Sequence, residues 1–141
     1  MTQRLISTLE TGTILVGLEA ASLAEAVRAL LAPSLSAGNL DLEKTVEAVL
    51  QREETGSTCS GEVALPHARV AGVPGIIAGF GINRNAIYGD VRFVLAFVSP
   101  QDAPGDHLRF LSEAAKVFRN EALLEQLLEA KNREEVLVAL T

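Results

Sequence analysis

The sequence predicts an α/β fold: a single three-layer domain with a mixed β-sheet flanked by helices on both faces. Three observations carry that expectation. Of 141 residues 48% are apolar but only 4% aromatic, so the interior is mostly Leu, Val, Ala and Ile, side chains that pack helices on a sheet. Two apolar runs, residues 75–81 and 91–98, lack the alternation of half-solvated strands and so read as strands covered on both faces. The segments around them carry apolar residues at helical spacing behind capping residues.

Residues 14–18 read as a short strand. Ser22 then opens a helix, with Glu25 three residues on as a capping box. Leu23, Ala26, Val27, Leu30 and Leu31 form its apolar stripe, and Pro33 is expected to end it. A second helix starts near Asp41, with Leu42, Val46, Val49 and Leu50 on one face. Arg52 falls at its end, where a cation suits the helix dipole.

A Gly/Ser/Thr loop leads into a short strand at residues 62–65. Asn83-Arg84-Asn85 and Tyr88-Gly89-Asp90 punctuate the connection between the two buried strands, and residues 99–105, with Pro100 and Pro104, read as a loop. A third helix begins around Asp106 and His107, with Leu108, Leu111, Ala115 and Phe118 inward. A fourth covers residues 121–130, and a short last helix follows Asn132. Neither an internal repeat nor a linker interrupts the pattern.

The charge balance, 12 Lys+Arg against 18 Asp+Glu, gives a net −6 and a pI near 4.9, which argues against nucleic acid or an anionic membrane surface. It favours partners with a basic patch. The single cysteine, Cys59, excludes an internal disulfide framework and suits a reducing cytoplasm. The first four residues lead into no signal-type apolar region. The longest apolar stretch, residues 70–82, is too short and too broken by glycines and Pro74 to span a bilayer. The expectation is a soluble cytoplasmic domain.

The chemistry concentrates in residues 52–69, which hold one of only two histidines. Pro66 pushes Leu65 toward an extended conformation and fixes its own φ, so His67 leaves a strand end in a defined direction. Gly56, Ser57, Thr58 and Gly61 supply small residues and hydroxyls through which backbone N–H groups can approach an anion. A neutral imidazole beside Arg52 and Arg69 is suited to take up a phosphoryl group, its nitrogen nucleophilic near pH 7 and the cations balancing the arriving charge. Each residue also has a plainer role open to it. His67 can cap a strand end, His107 can pack on a neighbouring loop, Arg52 can serve its helix dipole, and Ser57 and Thr58 can be turn residues.

Other chemistries find little support. Two histidines 40 positions apart and one cysteine give no metal-ligand spacing. Gly79-Phe80-Gly81 is a dinucleotide fingerprint without its third glycine, better read as a packed strand. There is no phosphate-binding Gly-Lys-Ser/Thr loop for ATP and no Gly-x-Ser-x-Gly elbow for a hydrolase. Cys59 has no resolving cysteine, and the pairs Glu53-Glu54 and Glu134-Glu135 read as solvated helix-end charges.

The Arg-Glu run before Gly-Ser-Thr, the Ala64-Leu65-Pro66-His67-Ala68-Arg69 segment, a strand ending in Ser99-Pro100 and a helix opening with His107, Leu108 and Leu111 come in a recognisable order. Together they resemble the enzyme IIA domains of the fructose/mannitol and nitrogen-regulatory class in the bacterial phosphoenolpyruvate-dependent phosphotransferase system. The resemblance implies that His67 is the phosphoacceptor through Nε2, Arg52 the arginine beside it and His107 the second active-site histidine. Ser57 and Thr58 become candidate phosphate contacts. It implies an HPr-like phosphocarrier as donor and an enzyme IIB as acceptor, or in the nitrogen-type branch a regulated target such as a transporter or kinase. No metal or small cofactor is required. Two features depart from the family pattern: a loop before Pro66 that looks one residue shorter, with Glu62 placing a negative charge near the site, and a trimmed connection between Asn83 and Asp90.

Overall fold

The computed structural model describes residues 3–141. The chain runs α1 (Gln3–Thr11), β1 (Thr13–Leu15), α2 (Leu23–Ala37), α3 (Leu42–Glu54), β2 (Val63–Ala64), β3 (His67–Val70), β4 (Ile77–Ile82), β5 (Phe93–Pro100), α4 (Pro104–Val117), α5 (Glu121–Leu128) and α6 (Arg133–Leu140). The sheet is mixed: β1 lies parallel to β4, β4 antiparallel to β5, and both β2 and β3 parallel to the far side of β5.

Helices cover both faces, and β5 shows why its sequence does not alternate. Phe93, Leu95 and Phe97 pack on one side with residues of α1, α4, α5 and α6. Val94, Ala96 and Val98 pack on the other with α2 and α3. On β4, Phe80 and Ile82 face the first layer, while Gly79 and Gly81 let α2 close in on the second. A Cβ at Gly79 would lie 2.3 Å from the Leu30 carbonyl oxygen, and one at Gly81 would lie 2.7 Å from Leu18 Cδ2. Gly79→Ala is therefore expected to destabilise the protein by about 3 kcal/mol, the upper end of overpacking costs. Urea unfolding followed by circular dichroism measures it, and a change under about 0.5 kcal/mol, within the range of neutral surface substitutions, would mean that α2 does not press on β4.

The predicted capping residues hold. Ser22 Oγ accepts from the Glu25 N–H at 3.2 Å, Asp41 from Lys44 at 3.0 Å, and Asn132 from Glu135 at 2.9 Å. Four expectations fail. α1 was not expected at all. Pro33 does not end α2, which continues to Ala37 because Pro33 sits on the exposed face and Leu35, fully buried, keeps the last turn on the core. The loop expected at residues 99–105 is shorter, since β5 runs through Pro100 and Pro104 starts α4. The inward stripe of α4 is His107, Phe110, Ala114 and Phe118, whereas Leu108 is 63% exposed. The place on the core face that an apolar residue was expected to hold belongs to the histidine.

β2 and β3 keep a common register on β5, with Val63 opposite Phe93 and His67 opposite Phe97. They are one edge strand interrupted at Leu65-Pro66. Proline is tolerated there because it lacks the N–H a central strand would need, and its carbonyl still accepts from the Phe97 N–H at 3.1 Å. His67 thus opens the second half of the strand rather than closing the first.

Candidate active site

β3 places His67 on the same side of the sheet as Phe97, and α4 brings His107 over both. The His67 ring stacks on Phe97 at 5.1 Å with 14° between planes, and the His107 ring lies 5.1 Å from His67 and 5.3 Å from Phe97. Both histidines are buried, at 5% and 7% exposure. The His67 Nδ1 lies 2.6 Å from the Leu65 carbonyl oxygen. A carbonyl only accepts, so Nδ1 carries the ring proton and Nε2 keeps the lone pair. Pro66 makes this bond possible by holding Leu65 two residues back on an extended backbone.

His107 is reached by the Ser99 hydroxyl at Nδ1. Its backbone N–H is not one of the unpaired donors of the helix start, because it already bonds the Ala103 carbonyl at 3.2 Å. The imidazole, not the amide, is what α4 offers at this position.

A cavity of about 730 Å³ opens beside the rings between the end of α3 and the start of α4. His107, Arg52, Arg69, Pro104 and Leu108 are among its lining residues. His67 does not line it, but adjoins it through Ala68 and His107. Arg52 Nη1 donates to the Thr55 hydroxyl at 3.3 Å and the Gly56 carbonyl at 3.1 Å, so it closes its own helix while facing the cavity. Arg69 lines the same space.

The loop ahead of His67 hangs on Glu53. Its carboxylate accepts from the Thr58 N–H at 2.9 Å and the Thr58 hydroxyl at 2.8 Å, and the Thr58 oxygen in turn accepts from the Leu65 N–H at 3.2 Å. Glu53 is therefore not a merely solvated charge, and the Thr58 donors are committed to the loop. Ser57 Oγ accepts from the Cys59 N–H at 3.1 Å, a bond that does not use its own proton. Glu62 is paired with Arg92. The carboxylate whose field acts on His67 is that of Glu53.

Burial pushes His67 below the usual imidazole range; Arg52 pushes the same way, and the Leu65 carbonyl and Glu53 oppose it. Burial, then the neighbouring His67, Arg69 and Arg52, take His107 down to about 4. Both rings are neutral at pH 7. In the unfolded chain an imidazole titrates near about 6.5. Between that value and about 4 the unfolded state binds more protons at His107, so its contribution to stability is complete above about 6.5 and lost on acidification, and His67 shifts in the same direction. Unfolding free energies measured from pH 7 to pH 4 should fall more steeply for the wild type than for His107→Ala. Equal slopes would remove His107 as a source of the loss.

A family model for the phosphoenolpyruvate-dependent sugar phosphotransferase system, EIIA 2, matches residues 7–141, and the chain belongs to that family of phosphocarriers. A nitrogen regulatory protein of Bradyrhizobium diazoefficiens is 28% identical over 121 residues, which is 81% of this chain and 79% of the relative. The crystal structure of nitrogen regulatory protein IIA-Ntr from Neisseria meningitidis superposes with a TM-score of 0.86 at 27% identity, covering 98% of this chain and 99% of that one. IIA mannitol from Escherichia coli shares the fold, with a TM-score of 0.70 at 23% identity over 92% and 96% of the two chains. Among the described residues no helix is long and apolar enough to cross a membrane.

Sequence reasoning brought forward His67, His107 and Arg52, which the structure gathers around one cavity edge. It missed Ser99, Glu53 and Phe97. Glu53 had a local signal in the Thr58 hydroxyl five residues on. Ser99 was seen only as the end of a strand in the family pattern, because only the turn from β5 into α4 brings it to His107.

Proposed function

We propose that this chain is a phosphohistidine carrier in which His67 accepts a phosphoryl group from an HPr-like protein and releases it to a second protein. The observation that carries this is the His67 Nδ1 bond to the Leu65 carbonyl, which leaves Nε2 as the nucleophilic nitrogen next to an arginine-lined cavity.

The Nε2 lone pair attacks phosphorus on the donor's phosphohistidine. The new N–P bond forms as the donor's N–P bond breaks, and the donor nitrogen takes back its electron pair. No proton has to leave His67. The ring becomes substituted on both nitrogens, and the positive charge this brings is offset by the Leu65 carbonyl and the Glu53 field. Arg52 and Arg69 meet the phosphoryl oxygens, Arg52 with a planar fork suited to them. His107 contributes a ring N–H. Ser57 can donate its hydroxyl, and Thr58 acts by holding the loop. Exposed Leu108 beside the cavity gives partner proteins an apolar contact at its edge.

The acceptor is an enzyme IIB-like protein, as in the complex of IIA mannitol with phosphorylated IIB mannitol from Escherichia coli. A second reading, regulation of a target by the phosphorylation state of His67, is favoured by the nitrogen regulatory relatives, which match at higher identity than the mannitol structure. Incubation with phosphoenolpyruvate, enzyme I and HPr, followed by intact mass, should give one phosphoryl adduct. Adding an enzyme IIB should discharge it if the chain is a transport carrier and leave it if the chain is a regulator. No adduct under any of these conditions would refute the proposal.

A further inference from the structure

We propose that Ser99 is a positioning residue that fixes the tautomer of His107, holding its Nε2 as the N–H donor that faces an anion beside His67. The inference rests on the phosphocarrier proposal for its meaning, and on hydrogen-bond accounting for its content.

Ser99 is 0% exposed on β5, and its hydroxyl has His107 Nδ1 as its side-chain partner. Two arrangements of the proton are available. If Nδ1–H donated to Ser99, the hydroxyl proton would be left in a dry interior without an acceptor, and an unpaired buried donor costs the full loss of its hydration. If the hydroxyl donates to Nδ1, its proton is paired and Nδ1 uses its lone pair. The second arrangement is favoured. A neutral imidazole has one ring proton, so it must then sit on Nε2.

His67 is set the opposite way, since the Leu65 carbonyl takes the proton of Nδ1 and leaves Nε2 bare. Two rings 5.1 Å apart are thereby given complementary roles by two different partners, a backbone carbonyl and a side-chain hydroxyl. One nitrogen is a nucleophile, and the other can donate to an oxygen of the group that the first one binds. The partner that fixes His107 comes from the strand that also carries Phe97, on which both rings pack. Sheet and tautomer are therefore coupled: the ring is oriented by stacking and its proton by the hydroxyl two residues further along.

The test begins with the wild-type protein, without phosphate or partner. Long-range 1H–15N correlation spectra at neutral pH should show His107 with a protonated Nε2 and a bare Nδ1. A protonated Nδ1 would overturn the inference with no substitution needed. In Ser99→Ala the His107 signal should move to a mixture of tautomers, while that of His67 stays with protonated Nδ1. Phosphoryl transfer from phosphorylated HPr should slow by roughly tenfold to a hundredfold, the scale for losing the partner that orients a functional histidine. Ser99→Thr, or Ser99→Cys if the extra methyl is not accommodated, should restore the tautomer and most of the rate. An unchanged tautomer in Ser99→Ala would sink the inference. If the spectra behave as described but wild type never takes phosphate, the phosphocarrier proposal fails and the tautomer assignment stands.

Discussion

His67→Ala is expected to gain no phosphoryl adduct under conditions in which the wild type gains one. The expectation is strong because the neighbouring imidazole cannot take over. His107 Nδ1 is occupied by Ser99, and its Nε2 holds a proton rather than a lone pair. The two arginines that line the cavity stay charged and are not nucleophiles at neutral pH. The substitution removes a ring that stacks on Phe97 and bonds the Leu65 carbonyl, so some stability is lost, but β3 keeps its register on β5 through backbone bonds. Circular dichroism separates folding from chemistry, and His67→Gln repeats the test with more of the side-chain volume retained. In the wild type the adduct should be acid-labile and base-stable, as a phosphorus–nitrogen bond is. A mass gain in either variant would reassign the acceptor.

The fold was legible where one local rule decided it. The unbroken apolar runs of β4 and β5 announced burial on both faces, and Ser22, Asp41 and Asn132 announced helix starts. It was not legible in α1, whose nine residues include Ser7, Thr8 and Thr11 and bury only Leu5 and Leu9 on the core. Leu5, Ile6 and Leu9 have helical spacing and pack on the core, but they span little more than one turn, and so short a helix depends on tertiary packing. Pro33 misled for a related reason. Local chemistry disfavours a proline inside a helix, yet on the exposed face the unbonded carbonyl can reach water, and burial of Leu35 outweighs the rest.

The site was legible through its motif and opaque in its wiring. Pro66-His67 and His107 lie 40 residues apart, and their convergence followed from placing one on an edge strand and the other in the first turns of a helix on the same face. The hydrogen bonds that set each ring were not visible. A carbonyl partner has no side-chain signature, and a serine at a strand end looks like any other. Glu62 misled by proximity in sequence alone, since Arg92 claims its carboxylate.

His107→Ala should leave the fold intact and slow phosphoryl transfer from phosphorylated HPr by roughly ten- to a thousandfold, the range for losing one well-placed donor at a developing charge. That corresponds to about 1.4–4 kcal/mol of transition-state stabilisation. The loss should fall on the transfer step rather than on docking, because the apolar contact proposed for a partner is Leu108 at the cavity edge, which the substitution leaves in place. Single-turnover rates at saturating donor isolate that step. His67 keeps its Nδ1 bond to the Leu65 carbonyl and its bare Nε2 in this variant, so the adduct should still form on His67 and only do so more slowly. The outcome also separates the two roles open to this chain. A transport carrier turns over constantly and needs a fast step, so it depends on the donor. A regulator needs only the two charge states of His67, so a slow transfer suffices and target binding becomes the sensitive readout. An unchanged transfer rate in His107→Ala would remove the second histidine from the chemistry, leaving Arg52 and Arg69 to carry the phosphoryl charge alone.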